Sequence, residues 1–220
     1  MACPLCHSPD IHAVFEKDDA RLGRREYVRC RECRLIHLLP QYFLSKDEEK
    51  KRYDLHRNSP DDQGYVDFLN QLIEPLCGYL VPGAEGMDYG CGPGPTVSVL
   101  LENKGFRMTN YDPVYFPDKN VLDKKYDFMT VTEVVEHFYN PRQEWLTFDR
   151  MLKPGSPIGL MTYLYTDVPQ FSEGWYHSEP THVCFYHRET FQWIENWLKW
   201  KIEYLTGRVV VFRKPFAPLV

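Results

Sequence analysis

Apolar residues recur along this chain with two periods, and the switches between them outline its elements. From residue 12, "HAVFEK" and later "REYVRC" alternate apolar and polar side chains, the period of short strands. Tyr65, Phe68, Leu69, Leu72, Ile73 and Leu76 then fall at helical spacing, with Ser59, Asp61 and Asp62 as candidate N-caps and Pro75 expected to limit the helix. The stretch before it, "SKDEEKKRYDLHRNSPDDQ", is polar and reads as a linker that could cover a site, with Tyr53, His56, Asn58 and Tyr65 the residues to watch. Downstream, strand-like "EGMDY", helical "TVSVLLENKG" and strand-like "FRMTNYD" follow in turn. Strand, turn, helix and strand in that order form one α/β unit. Trp193, Trp197 and Trp200 share one face of a late helix and are expected in the core.

Composition narrows the picture. At 220 residues and 43% hydrophobic, the chain can build one packed domain and a small appendage. A net charge of -5 argues against a surface built for polyanionic nucleic acid and favours a small-molecule partner. No apolar run is long enough for a membrane span, and the N-terminus lacks a basic-then-apolar signal, so a cytoplasmic protein with no membrane partner is expected.

Four of the seven cysteines form two CxxC pairs, Cys3 with Cys6 and Cys30 with Cys33. Two such tight turns can close a tetrahedral shell of four thiolates on one structural zinc ion, and the intervening strands give the layout of a zinc ribbon. His7 and His37 lie beside the pairs as alternative ligands, while Cys77, Cys91 and Cys184 read as small buried side chains. Six arginines crowd between Arg21 and Arg34. They either dock RNA or offset the charge of the thiolates, and the second reading is favoured. The domains expected are a ribbon over 1–40, a helical linker or lid over 41–80, and a catalytic domain over 81–220.

The most informative stretch is "EGMDYGCGPGPTVSVLLENKGF". A strand runs into Gly90-Cys91-Gly92-Pro93-Gly94 and then into a helix, so that a ligand can press against backbone without Cβ atoms in the way. Asp112 ends the next strand, where a carboxylate can bind ribose hydroxyls, and the ligand is therefore of adenosine type. A dinucleotide fingerprint needs glycine at 95, which is Pro95.

The pattern D-x-G-x-G-x-G from Asp88 to Gly94 resembles instead the first motif of class I S-adenosylmethionine-dependent methyltransferases. "KYDFMTVTEVVEHFYNP" is similar to their fourth strand and its E-x-x-E-H pattern, found in quinone and sugar methyltransferases, and "LKPGS" to the turn before the fifth strand. The resemblance covers roughly residues 80 to 213. It implies a Rossmann-like, mostly parallel sheet whose last strand is antiparallel, and S-adenosylmethionine held by Asp88, Gly90, Cys91, Gly92, Gly94, Asp112, Pro113 and Glu133. The segment between Asp112 and Asp127 is too short for the family's usual helix and strand, so an abbreviated loop with Asn120, Val121 or Leu122 is expected near the adenine, with Asp123 a candidate acidic partner.

The methyl acceptor should meet the loops after the fourth and fifth strands. Glu133, Glu136 and His137 follow the one, and "WYHSEPTHVCFYH" follows the other. The spacing of His177, His182 and His187 matches no zinc-ligand pattern, so no metal is expected on those three. "EPTHVCFYH" resembles the "DPTHV.FY" turn of these enzymes, with Glu179 replacing aspartate. His182 and His137 become the candidate catalytic residues, and Tyr53, Trp175, Tyr176, Thr181 and Tyr186 the candidate acceptor contacts. The expected activity is methyl transfer to a small molecule; the alternatives are methylation of an RNA base, with the arginine-rich ribbon docking the RNA, and a non-catalytic cofactor-binding subunit.

Overall fold

The computed structural model describes residues 1–20, 22–55 and 58–216; Arg21 and His56 lie outside the described residues. Strands β1 (Ile11–Asp19) and β2 (Gly23–Cys30) form the hairpin that the alternation predicts, and β3 (Ile36–Leu38) pairs with β2. Helix α1 (Lys46–Tyr53) occupies the polar linker. It starts on a capping box, Ser45 with Glu48, which satisfies the first-turn N–H groups from a segment with no apolar stripe. Helix α2 (Gln63–Cys77) starts on Asp62 and buries Leu69, Leu72, Ile73 and Leu76. It runs two residues past Pro75, because the carbonyl that loses a partner belongs to exposed Gln71 and can turn to water.

Strand β4 (Glu85–Tyr89), helix α3 (Thr96–Asn103) and strand β5 (Arg107–Tyr111) come next. A single 3-10 turn, Lys119–Asp123, fills the short segment before β6 (Phe128–Thr132). A second one, Val135–His137, leads to α4 (Pro141–Met151) and β7 (Pro157–Met161). Then follow α5 (Val168–Glu173), β8 (Cys184–Phe185), α6 (Arg188–Leu198), β9 (Lys201–Thr206) and β10 (Val209–Arg213).

The six-stranded sheet has the order β5-β4-β6-β7-β10-β9. Its first four strands are parallel, and β10 runs antiparallel to both neighbours. Side chains alternate across it. Phe128, Met161, Val209 and Val211 meet α2 and α3, whereas Met129, Val131, Leu160, Val210 and Phe212 join Trp145 and Phe148 of α4 on the opposite face. The fold is therefore an α/β sheet covered by helices on both faces, as expected.

The smaller, antiparallel sheet has the order β1-β2-β3-β8, and its last strand comes from far along the chain. Ile36 pairs with Phe185 and His37 with Cys184. The three tryptophans divide. Trp200 follows the left-handed C-cap Lys199 and is buried, with its indole N–H on Asp149, while Trp193 and Trp197 stay half-exposed on α6 and Arg142 stacks on Trp197. Among the described residues, no helix is long and apolar enough to cross a membrane.

Candidate active site

A cavity of about 820 Å³ opens at the C-terminal ends of β4, β5 and β6, where open α/β sheets bind ligands. Its first end is built on the glycine loop. Gly90 and Gly92 have left-handed φ angles of 78° and 64°, and the N–H groups of Gly90 and Cys91 both donate to the Tyr111 carbonyl. A Cβ on Gly90 would lie 2.5 Å from Val134. Asp112 ties this loop to the next: Oδ1 accepts from the N–H groups of Val114 (2.8 Å) and Tyr115 (3.0 Å), and Oδ2 from Gly92 (3.1 Å). Oδ1 is thereby filled, and Oδ2 keeps one lone pair for a ligand hydroxyl.

Of the candidate cofactor contacts, Gly90, Gly92, Asp112, Pro113 and Glu133 line the cavity, but Asp88, Cys91 and Gly94 stand behind the wall. Asp88 is buried and accepts the Thr130 hydroxyl at 2.8 Å; burial pushes its carboxyl up to about 7. Burial also raises the Cys91 thiol. At Gly94 a Cβ would come within 2.2 Å of the Asn58 carbonyl oxygen, so this glycine makes room for the chain before α2 rather than for a ligand. Asn120, Val121, Leu122 and Asp123 are also absent from the lining; Val114 and Tyr115, with Tyr89 hydrogen-bonded to Glu144, close that end.

The other end brings together His137, His182, Glu133, Tyr176, Tyr53 and Trp175. His137 Nδ1 donates to the Thr181 carbonyl (3.1 Å) and His182 Nδ1 to the Tyr176 carbonyl (2.8 Å), so that in the singly protonated form of each ring the lone pair is on Nε2. The two rings meet edge to face with centroids 4.8 Å apart. Burial lowers the pKa of His137, favouring that neutral form. The Tyr176 hydroxyl donates to Glu136 (2.5 Å) and lies 3.1 Å from Glu133, Thr162 donates to Glu136 (2.9 Å), and Arg208 reaches Glu133 (3.4 Å). Burial raises the pKa of both carboxyls. Glu133 has a left-handed φ of 54°, a strained conformation for a side chain with a Cβ, at the turn that presents this group.

Two expected acceptor contacts lie behind this wall instead. Tyr186 is fully buried, stacked on Phe191 with its hydroxyl on the Val135 carbonyl, and Thr181 is buried with its hydroxyl on Glu179. His177 packs between Phe15 and Phe171, and His187 caps α6. Helix α1 forms a roof: Lys46, Glu49, Lys50 and Tyr53 line the cavity, and Arg52 grips Glu179 with two nitrogens. Of these, the sequence reading passed over the roof residues other than Tyr53; the S-x-x-E capping box at Ser45 was the signal for their helix. It passed over Arg208 as well, which carried no local signal.

The four cysteines sit away from the cavity. Their sulfurs all lie within 4.8 Å of one another, the closest pairs being Cys6 with Cys30 at 3.4 Å and Cys3 with Cys33 at 3.5 Å. The two turns repeat one geometry. His7 N–H bonds to Cys3 O and Arg34 N–H to Cys30 O, and His7 and Arg34 have φ angles of 63° and 62°. His7 is exposed, and buried His37 donates from Nδ1 to the Leu38 carbonyl, so neither joins the cluster.

Known proteins share this architecture. The 1,6-didemethyltoxoflavin-N1-methyltransferase of Burkholderia thailandensis, solved with 1,6-didemethyltoxoflavin and S-adenosylhomocysteine bound, is 14% identical and superposes with a TM-score of 0.54 over 94% of this chain and 99% of its own. The 4+2 cyclase SpnF is 12% identical, with a TM-score of 0.50 over 73% of this chain and 86% of its own. No curated protein sequence matches significantly. The family model described as "Methyltransferase domain" matches residues 24–196, so this chain belongs to the methyltransferase-domain family.

Proposed function

We propose that this chain is an S-adenosylmethionine-dependent methyltransferase acting on a small-molecule acceptor, with a structural zinc ion in its N-terminal ribbon. The observation that carries the reading is one cavity walled at one end by the glycine loop and Asp112 and at the other by His137, His182 and Glu133. Its volume of about 820 Å³ suits a nucleoside cofactor with a modest acceptor beside it. S-adenosylmethionine would supply a methyl group on a cationic sulfur, an electrophile that needs little beyond an aligned nucleophile. Gly90 and Gly92 would let it lie against backbone, Asp112 Oδ2 would take a ribose hydroxyl, and Asp112, Glu144 and Glu133 suit a cationic ligand better than a diphosphate. His182, with His137 beside it, would orient the acceptor and receive its proton on Nε2, while Tyr53, Tyr176 and Trp175 wall the acceptor in. Residues 41–80 would act as its cover.

Because a cyclase shares the fold, the fold alone does not fix the reaction. The methyltransferase with a small-molecule acceptor and S-adenosylhomocysteine bound supports this one. Zinc fits the ribbon: four thiolates about 2.3 Å from a tetrahedral ion stand about 3.8 Å apart, within the range of the sulfur separations here. The basic stretch favours a small molecule over RNA, since Arg24 pairs with Glu16 and Glu26, Arg31 with Asp10, Arg34 with Glu189, and Arg25 is buried on the Pro180 carbonyl.

Titration calorimetry with S-adenosylmethionine, S-adenosylhomocysteine and NAD is the direct test. Submillimolar binding of the two sulfur ligands and none of NAD is expected; failure to bind either sulfur ligand would sink the proposal.

A further inference from the structure

The spacing of the three histidines between 175 and 187 gave no reason to expect a metal, but the fold recombines one of them with residues far away. Glu136, His137 and His182 each offer a ligand atom, and these atoms lie within 4.8 Å of one another. We propose that these three side chains bind one divalent transition-metal ion at the acceptor end of the cavity, in a site separate from the four cysteines and open on the cavity side.

Three features carry this assignment. Both imidazoles are fixed in the tautomer that metal ligands adopt, with Nδ1–H on a backbone carbonyl and the lone pair on Nε2. The carboxylate is oriented in the same way, its two oxygens held by Tyr176 and Thr162, each of which leaves a lone pair for an ion. Finally, Glu136 is fully buried, and among the described residues no lysine or arginine forms an ion pair with it; Arg208 is paired with Glu133. An ion bound there would meet no basic side chain already ion-paired to the carboxyl oxygens.

Two nitrogens and one carboxylate form the ligand set that binds one face of an octahedral ion and leaves positions open for small ligands. The two imidazoles suit iron, nickel, copper or zinc, and the carboxylate and open water positions admit manganese as well. His137 and His182 line the cavity while Glu136 lies behind them, so the open positions face the volume where the acceptor binds. On the methyltransferase reading, which this part of the inference rests on, an acceptor oxygen would enter one of them and be held and acidified there, the role otherwise given to a histidine base.

The probe is Mn²⁺, a hard ion that four thiolates bind poorly, added to the full chain with its ribbon metal left in place. One equivalent should be taken up per chain, read by loss of the free-ion electron paramagnetic resonance signal. Enhanced water-proton relaxation should accompany it, because the open positions hold exchanging water. Glu136→Gln and His182→Asn should each weaken uptake at least tenfold without changing the metal content of the ribbon. No saturable uptake by the wild type, or unchanged affinity in Glu136→Gln with its fold intact by circular dichroism, overturns the site; uptake without relaxation enhancement overturns its openness. Calorimetry with S-adenosylmethionine on the same sample separates the two proposals: Mn²⁺ uptake without cofactor binding leaves the metal site standing and removes the methyltransferase reading.

Discussion

Asp88 is the residue whose environment differs most from its motif. It sits at the end of β4 as the first letter of the glycine signature, yet it is buried behind the loop with Thr130 as its donor. With its carboxyl raised to about 7, the folded chain keeps a proton that the unfolded chain releases near pH 4. Stability should therefore fall as pH rises from about 4 to 7 and level off above, a loss of at most roughly 4 kcal/mol. Asp88→Asn, which preserves the acceptor for Thr130, should flatten this slope and melt higher than wild type at pH 8 in the absence of ligand; parallel melting curves across pH would show that the carboxyl is ionised. The neighbouring glycine makes the opposite case. Gly94→Ala would drive a methyl into the Asn58 carbonyl, shift the chain before α2, and should weaken cofactor binding about tenfold or more. Unaltered affinity would mean that this contact is dispensable. At the acceptor end, His182→Ala should reduce turnover far more than cofactor affinity, and an equal loss of both would mark the histidine as structural.

Among the elements, those carried by a local pattern were legible. The ribbon hairpin, α2 and the strand-loop-helix around Gly90 each announce themselves within twenty or so residues through period and turn chemistry. What was not legible is pairwise and distant. Helix α1 buries none of its residues, so it lacks any apolar stripe, and β8 is two residues long. The cavity wall behaves likewise: His182 meets His137 only through the fold, and Tyr186 and Thr181 face inward, neither of which a spacing can disclose. The roof is held by contacts of this kind, among them Arg52 on Glu179, which ties α1 to the loop bearing His182. Arg52→Ala should leave the fold intact, raise the acceptor KM, and open residues 46–54 to limited proteolysis. An unchanged proteolytic pattern would show that α1 is held by its other contacts, such as Tyr139 on Glu49.

At the scale of the molecule, the two sheets are not independent, since β8 belongs to the small one while the residues just before it belong to the cavity. Disturbing the cysteine cluster should therefore be felt at the acceptor end. Cys6→Ser is expected to lower the melting temperature and the turnover number together, while cofactor affinity, set around Gly90 and Asp112, changes less; lost stability with intact turnover would show that the sheets are uncoupled. Charge at this scale predicts that tRNA or rRNA binds weakly, with little dependence on salt, because Arg24, Arg31 and Arg34 of the basic stretch are already in ion pairs and Arg25 is buried.

The pairing of His37 with Cys184 also orders events in time. These residues are about 150 positions apart, and contacts of such separation form late. During synthesis the hairpin and all four thiols leave the ribosome long before β8 exists, so β3 waits as an unpaired edge, a template for pairing with another chain. Early capture of the ion would hold the hairpin in shape through that wait. With the proposed zinc in the ribbon, refolding without metal should thus be slower and more prone to aggregate than refolding with it.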